Sequence, residues 1–152
     1  MKLKNPASSI LSELLSLIKT FSCLRHQILL KNLSSMDSPN YIPQDLPVTA
    51  FAEAMHAAIN EYVLHQRLVF FDSKLIHFTG NGSFTVKRII DVDAQALLSR
   101  DKKAYKSLIN NRLRENRLSE KATTELLNML HAPDKNTEDQ RQESNKRGVY
   151  SI

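Results

Sequence analysis

Between Arg100 and Lys121 the chain carries eight basic residues (Arg100, Lys102, Lys103, Lys106, Arg112, Arg114, Arg117 and Lys121) against three acidic ones (Asp101, Glu115 and Glu120). That excess equals the net charge of the whole protein, +5. Positive charge concentrated in this way is an electrostatic footprint for phosphates, although a solvated helix face would carry the same residues. Just upstream, Phe84 to Val92 alternates as a strand. Phe84, Val86, Ile90 and Val92 fall on one side, and Thr85, Lys87, Ile89 and Asp91 on the other. Hydroxyl and long basic side chains reach base edges in the DNA major groove, and an apolar one can touch a thymine methyl. Thr85, Lys87 and Ile89 are therefore the base-reading candidates. Lys102, Lys103, Lys106 and Ser107 cluster at the start of a helix, where free N–H groups and the dipole favour an anion. They are the phosphate-contacting candidates, together with Arg88 at the strand's edge.

No other chemistry emerges from the residue types. His26, His56, His65, His77 and His131 are scattered, and no Cys-His or His-Glu spacing makes a metal site. No phosphate-binding glycine loop or nucleophile elbow is present. We expect a non-enzyme without catalytic residues, cofactor or metal. Cys23, the single cysteine, cannot form an internal disulfide, and on a leucine-rich helix it reads as an inert thiol. A cytoplasmic home follows as the expectation. Glu13 and Lys19 interrupt the apolar N-terminal run, which argues against a signal peptide, a transmembrane span or any membrane partner.

The elements that must position these residues are mostly helical. A long helix from about Ala7 to Leu33 carries Ile10, Leu14, Leu17, Phe21, Leu24 and Ile28 at alternating spacings of four and three, widened by Leu11, Leu15, Ile18 and Leu29. So broad a face calls for a second helix, another protein or a second copy of the chain. Pro39, Pro43 and Pro47 make residues 34–49 a connector, after which Thr49 N-caps a helix through His65 with Phe51, Met55, Ile59 and Tyr62 on its apolar side. Leu68–Phe71, Leu75–Phe78 and Phe84–Val92 read as strands, with a tight turn at Gly80-Asn81-Gly82. The first of these could instead prolong the preceding helix. Helices from Ala94 to Arg100 and Ala104 to Asn116 follow, then one from Glu120 to His131 capped by Ser119 and ended by Pro133. The polar tail from Asp134 to Ile152 is expected to be disordered.

Asp91-Val92-Asp93-Ala94 with Leu97-Leu98, then Lys103-Ala104-Tyr105-Lys106-Ser107-Leu108-Ile109-Asn110 and Leu113-Arg114, resembles the ribbon-helix-helix superfamily of Arc-type and methionine repressors, plasmid regulators and antitoxins. The resemblance covers about residues 83–116. It departs from the pattern in lacking a turn glycine and in placing Arg88 on the face that should be buried. It implies an intertwined homodimer whose paired strands enter the major groove of double-stranded DNA while the second helices anchor phosphates.

The expected fold is mainly α with a small β element. Residues 1–80 form a helical extension with the first strands, 81–132 a ribbon-helix-helix unit with an extra helix, and 133–152 a tail. The expected function is sequence-specific transcriptional regulation, in the manner of a bacterial plasmid or mobile-element regulator. An ordinary α+β domain with a hairpin and merely exposed lysines is the bland reading of the same stretch. A helical interaction factor, such as a secretion chaperone or assembly factor acting through the N-terminal helix without DNA, is the alternative function.

Overall fold

The computed structural model describes residues 5–132, and the tail expected to be disordered lies outside them. In chain order the elements are α1 (Pro6–Ser34), β1 (Gln44–Asp45), α2 (Val48–His65), β2 (Ile76–Phe78), β3 (Phe84–Val86), β4 (Ile89–Ile90), α3 (Val92–Arg100) and α4 (Lys102–His131). The described residues are mainly helical with a small β content, as expected, and the β residues form two separate two-stranded sheets.

α1 is the axis of the molecule. Asn5 caps it by accepting the Ala7 N–H at 3.2 Å, and Pro6, with no N–H to lose, begins it. Its leucines bury two faces rather than one seam. Leu14, Leu17, Phe21 and Ile28 pack with Phe51 and Met55 of α2, Ile76 of β2 and the half-buried Phe84 of β3. Leu29 packs with Ala94 of α3 and with Tyr105, Ile109 and Leu113 of α4. Each such side chain taken fully out of water contributes about 1.5–3 kcal/mol, and the two clusters between them draw on all four described helices. By length and composition alone α1 could cross a membrane, despite Glu13 and Lys19; here it forms the centre of both clusters.

α4 runs antiparallel to α1. Tyr105 meets Asn32, Asn116 meets Ser22, Glu120 meets Cys23, and His131 meets Ser12. The two helices expected at 104–116 and 120–131 are therefore one. Ser119 is interior, and its carbonyl accepts the Thr123 hydroxyl at 2.7 Å. Neither glycine nor proline interrupts residues 102–131, and continuous packing on α1 outweighs the local capping preference of serine.

Other boundaries move for similar reasons. α2 begins at Val48 behind Pro47, with no side-chain cap from Thr49. Leu68 to Phe71 is neither strand nor helix, and Leu68 and Phe70 lie half-buried against the first cluster. α3 starts at Val92 rather than Ala94 because Asp91 supplies its cap, accepting the Ala94 N–H at 3.0 Å.

The largest departure concerns residues 84–92, which do not form one strand. β3 pairs antiparallel with β2 (Ile76↔Val86, His77↔Thr85, Phe78↔Phe84) through a turn where Gly80 and Gly82 adopt φ of +81° and +73°. β4 pairs antiparallel with β1 (Gln44↔Ile90, Asp45↔Ile89). The chain changes sheets at Lys87-Arg88, and the alternation changes with it. Phe84 and Val86 face the core, but Ile90 and Val92 are exposed and Asp91 is buried. Arg88, which strict alternation would bury, is exposed.

Candidate nucleic-acid interface

The eight basic residues of 100–121 divide according to what each meets. Arg112 turns inward to an ion pair with Asp91 and lies 4.0 Å from Asp45. Asp45 is held in turn by Arg25 of α1 through a two-pronged contact at 2.9 and 3.0 Å. This alternation of two guanidinium groups and two carboxylates joins α1, β1, the cap of α3 and α4. It forms part of the lining of an open cleft of about 680 Å³. Lys102 reaches Asp37 in the connector at 3.0 Å.

The remaining six, Arg100, Lys103, Lys106, Arg114, Arg117 and Lys121, are exposed and form no ion pair among the described residues. Five of them lie on α4 together with exposed Asn110, at successive spacings of three, four, four, three and four. At 100° per residue these positions stay within an arc of about 80°, and at 1.5 Å per residue they span about 27 Å. The segment's acids lie off this stripe. Asp101 caps α4 by accepting the Ala104 N–H at 3.0 Å, Glu120 accepts the Cys23 thiol at 3.3 Å, and Glu115 lines a groove facing α2. Burial, then Glu120, pushes the Cys23 thiol pKa up, in keeping with an unreactive thiol.

The stripe is oriented by buried polar contacts on the opposite side of the helix. Tyr105, fully buried, donates its hydroxyl to the Asn32 carbonyl at 2.7 Å. Asn32, also fully buried, accepts from Tyr41 at 2.7 Å and donates to the Gln44 carbonyl at 2.7 Å. Burial, reinforced by neighbouring Tyr41, pushes the Tyr105 pKa up to about 12. Burial also raises Tyr41, against the opposing pull of the Arg88 charge.

The residues singled out from sequence come together only in part. Thr85 and Lys87 are exposed on or beside β3, whereas Ile89 sits on β4 in the other sheet, so the three do not share one strand face. Lys103, Lys106 and Ser107 are exposed on the first two turns of α4. The expected anion clamp at that helix start already holds the Asp101 carboxylate, and Lys102 is engaged by Asp37. Sequence reasoning did not pick out Arg25, Asn32 or Asp45, named Asp91 only as a strand and motif position, and counted Arg112 with the other cations of its segment. A signal existed for two of them, because Arg25 and Asn32 continue the spacing of Phe21 and Ile28 and place polar groups on a seam that must be buried.

Fold and site together define a mainly helical protein built on an antiparallel helix pair, one member of which presents a continuous basic face to solvent. The chain matches no protein-family model, no curated protein and no solved structure.

Proposed function

We propose that the protein is a cytoplasmic, non-enzymatic regulator of transcription that binds double-stranded DNA as a homodimer, of the kind bacterial plasmids and mobile elements use. The observation that carries this reading is the stripe Lys103, Lys106, Asn110, Arg114, Arg117 and Lys121, exposed along one face of α4. Cations that form no ion pair among the described residues, aligned over several turns, match the regular spacing of phosphates and gain affinity from released counterions. Outward-facing Thr85 and Lys87 have the chemistry to read base edges, with Arg88 close by for a phosphate. In the ribbon-helix-helix form of the reading, a second copy pairs with residues 83–92. β3 keeps one edge unpaired among the described residues for that purpose, but β3 and β4 each already have a partner within the chain. We therefore place the main phosphate contacts on α4.

The test is fluorescence anisotropy with random-sequence and then selected duplexes over a series of salt concentrations. Engagement of the five α4 cations predicts a slope of log affinity against log salt of roughly −4 to −5. The combined variant Lys106→Gln, Arg114→Gln, Arg117→Gln should lower that slope by about 2 to 3 and weaken binding to every sequence. Unchanged affinity and slope in the triple variant would remove the basis of the proposal.

A further inference from the structure

The β2–β3 hairpin turns on Gly80-Asn81-Gly82, and Asn81 stands apart from every other asparagine among the described residues. It is exposed, and Asn81-Gly82 is the chain's one Asn-Gly pair. A Cβ at Gly82 would meet nothing within 4 Å, so open space surrounds the peptide that follows Asn81. The hydrogen bonds that close the turn lie outside that pair. The Thr79 N–H and the Thr79 hydroxyl both donate to the Ser83 carbonyl at 3.0 Å, and the Thr79 and Ser83 hydroxyls lie 2.8 Å apart. The Gly82 N–H enters no hydrogen bond among the described residues. Elsewhere the N–H after an asparagine is occupied or missing. Asn60, Asn110, Asn111, Asn116 and Asn128 lie inside helices, where the next N–H is held by a carbonyl four residues back. Asn32 is buried in α1, with both side-chain polar atoms engaged. Asn40 is followed by Tyr41, whose N–H donates to the Ser38 carbonyl at 3.3 Å, and Asn5 is followed by a proline.

A free amide nitrogen next to an exposed carboxamide permits an intramolecular reaction, in which both reacting groups are held on adjoining residues. The Gly82 nitrogen attacks Cγ of Asn81. The new N–Cγ bond closes a succinimide, and the side-chain nitrogen leaves as ammonia, taking the proton that the Gly82 nitrogen gives up. Water then adds to one of the two ring carbonyl carbons and breaks its bond to nitrogen, which regains a proton. Opening at Cγ leaves aspartate. Opening at the main-chain carbon leaves isoaspartate, in which the main chain runs through Cβ and is one methylene longer. Glycine favours the first step because no Cβ crowds its nitrogen as it approaches Cγ.

We propose that Asn81 is a site of spontaneous chemical modification, converted by water to aspartate and isoaspartate through a succinimide formed with the Gly82 nitrogen. Either product places a carboxylate at the tip of the hairpin and lowers the net charge of +5 by one unit. Isoaspartate also lengthens the turn that Thr79 and Ser83 close. The modification does not depend on DNA binding. Incubation of the folded full chain at physiological temperature and mildly alkaline pH, with peptide mapping by mass spectrometry at intervals, tests it. Most of Asn81 should gain the mass of an amide-to-acid conversion before the peptides holding Asn60, Asn110 or Asn128 change detectably. A protease that cuts at aspartate but not at isoaspartate should leave part of the product uncut, because direct hydrolysis of the side chain yields aspartate alone. Asn81→Gln keeps the amide but requires a larger ring, and should remain unconverted over the same period. Conversion of Asn81 no faster than that of the helical asparagines overturns the proposal. So does a product without isoaspartate, equal conversion in Asn81→Gln, or conversion that occurs only after the chain is unfolded in urea.

Discussion

The Tyr105 hydroxyl of α4 donates to the Asn32 carbonyl of α1 at 2.7 Å, and both residues are fully buried. Asn32 lies in the last turn of its helix, where carbonyls lack a partner four residues ahead. A side chain from a distant helix thus completes the end of α1, and it does so at the level where the basic stripe begins.

Tyr105→Phe should cost about 1–3 kcal/mol, the desolvation penalty of a buried acceptor left unpaired, with no change in fold. Urea denaturation followed by circular dichroism measures this. A loss below a few tenths of a kcal/mol would mean that the carbonyl finds another donor.

The same tyrosine makes a pH prediction. Its folded-state pKa, about 12, lies above the ordinary tyrosine value near 10, so the folded chain holds the proton more tightly than the unfolded chain. Its contribution is fully present below about pH 10 and is lost as pH rises towards 12. Urea midpoints should therefore fall through that window in wild type and fall less steeply in Tyr105→Phe.

Arg112 is the basic residue of α4 that serves the interior. Arg112→Leu leaves Asp91 buried without its cation and should destabilise by about 3–5 kcal/mol. Adding Asp91→Asn keeps an N-cap for α3 while removing the stranded charge, and should restore part of the loss, a coupling of about 0.5–3 kcal/mol. Additive effects in the double variant would show that the two side chains do not act as a pair.

Ser119→Ala distinguishes one helix from two. Within a continuous α4 alanine is the better helix former, and stability should rise by a few tenths of a kcal/mol. At an N-cap the same change would cost about 1 kcal/mol. Thermal melts resolve the difference in sign.

Lys102 and Lys106 should differ in DNA binding although they lie one turn apart. Lys102→Ala removes a partner of Asp37 and should leave the salt slope unchanged, whereas Lys106→Ala should reduce it by about 1. Thr85→Ala and Lys87→Ala should narrow the gap between selected and random duplexes by about 1–3 kcal/mol per lost base contact. Equal behaviour of the two lysines would shift the phosphate contacts towards the start of α4.

Periodicity in the sequence was enough to reveal the long N-terminal helix, the helix after the proline-rich connector, the glycine turn and the helical C-terminal half. Each depends on neighbours a few residues apart. The concentration of charge at 100–121 was equally legible, since counting requires no partners. Whether Phe84 to Val92 was one strand was not, because β3 pairs with a hairpin neighbour and β4 with β1, some 45 residues earlier in the chain, and local alternation cannot say where a strand changes partner.

Only the tertiary structure decided which charges meet a partner among the described residues. Composition cannot tell Arg112 from Arg114, two residues apart, yet a rotation of about 200° around the helix sends one to Asp91 and the other to water. Packing Tyr105, Ile109 and Leu113 against α1 sets that rotation. The excess of five positive charges was visible in the chain itself, but its arrangement as a stripe exists because α4 stays unbroken and buries its opposite side.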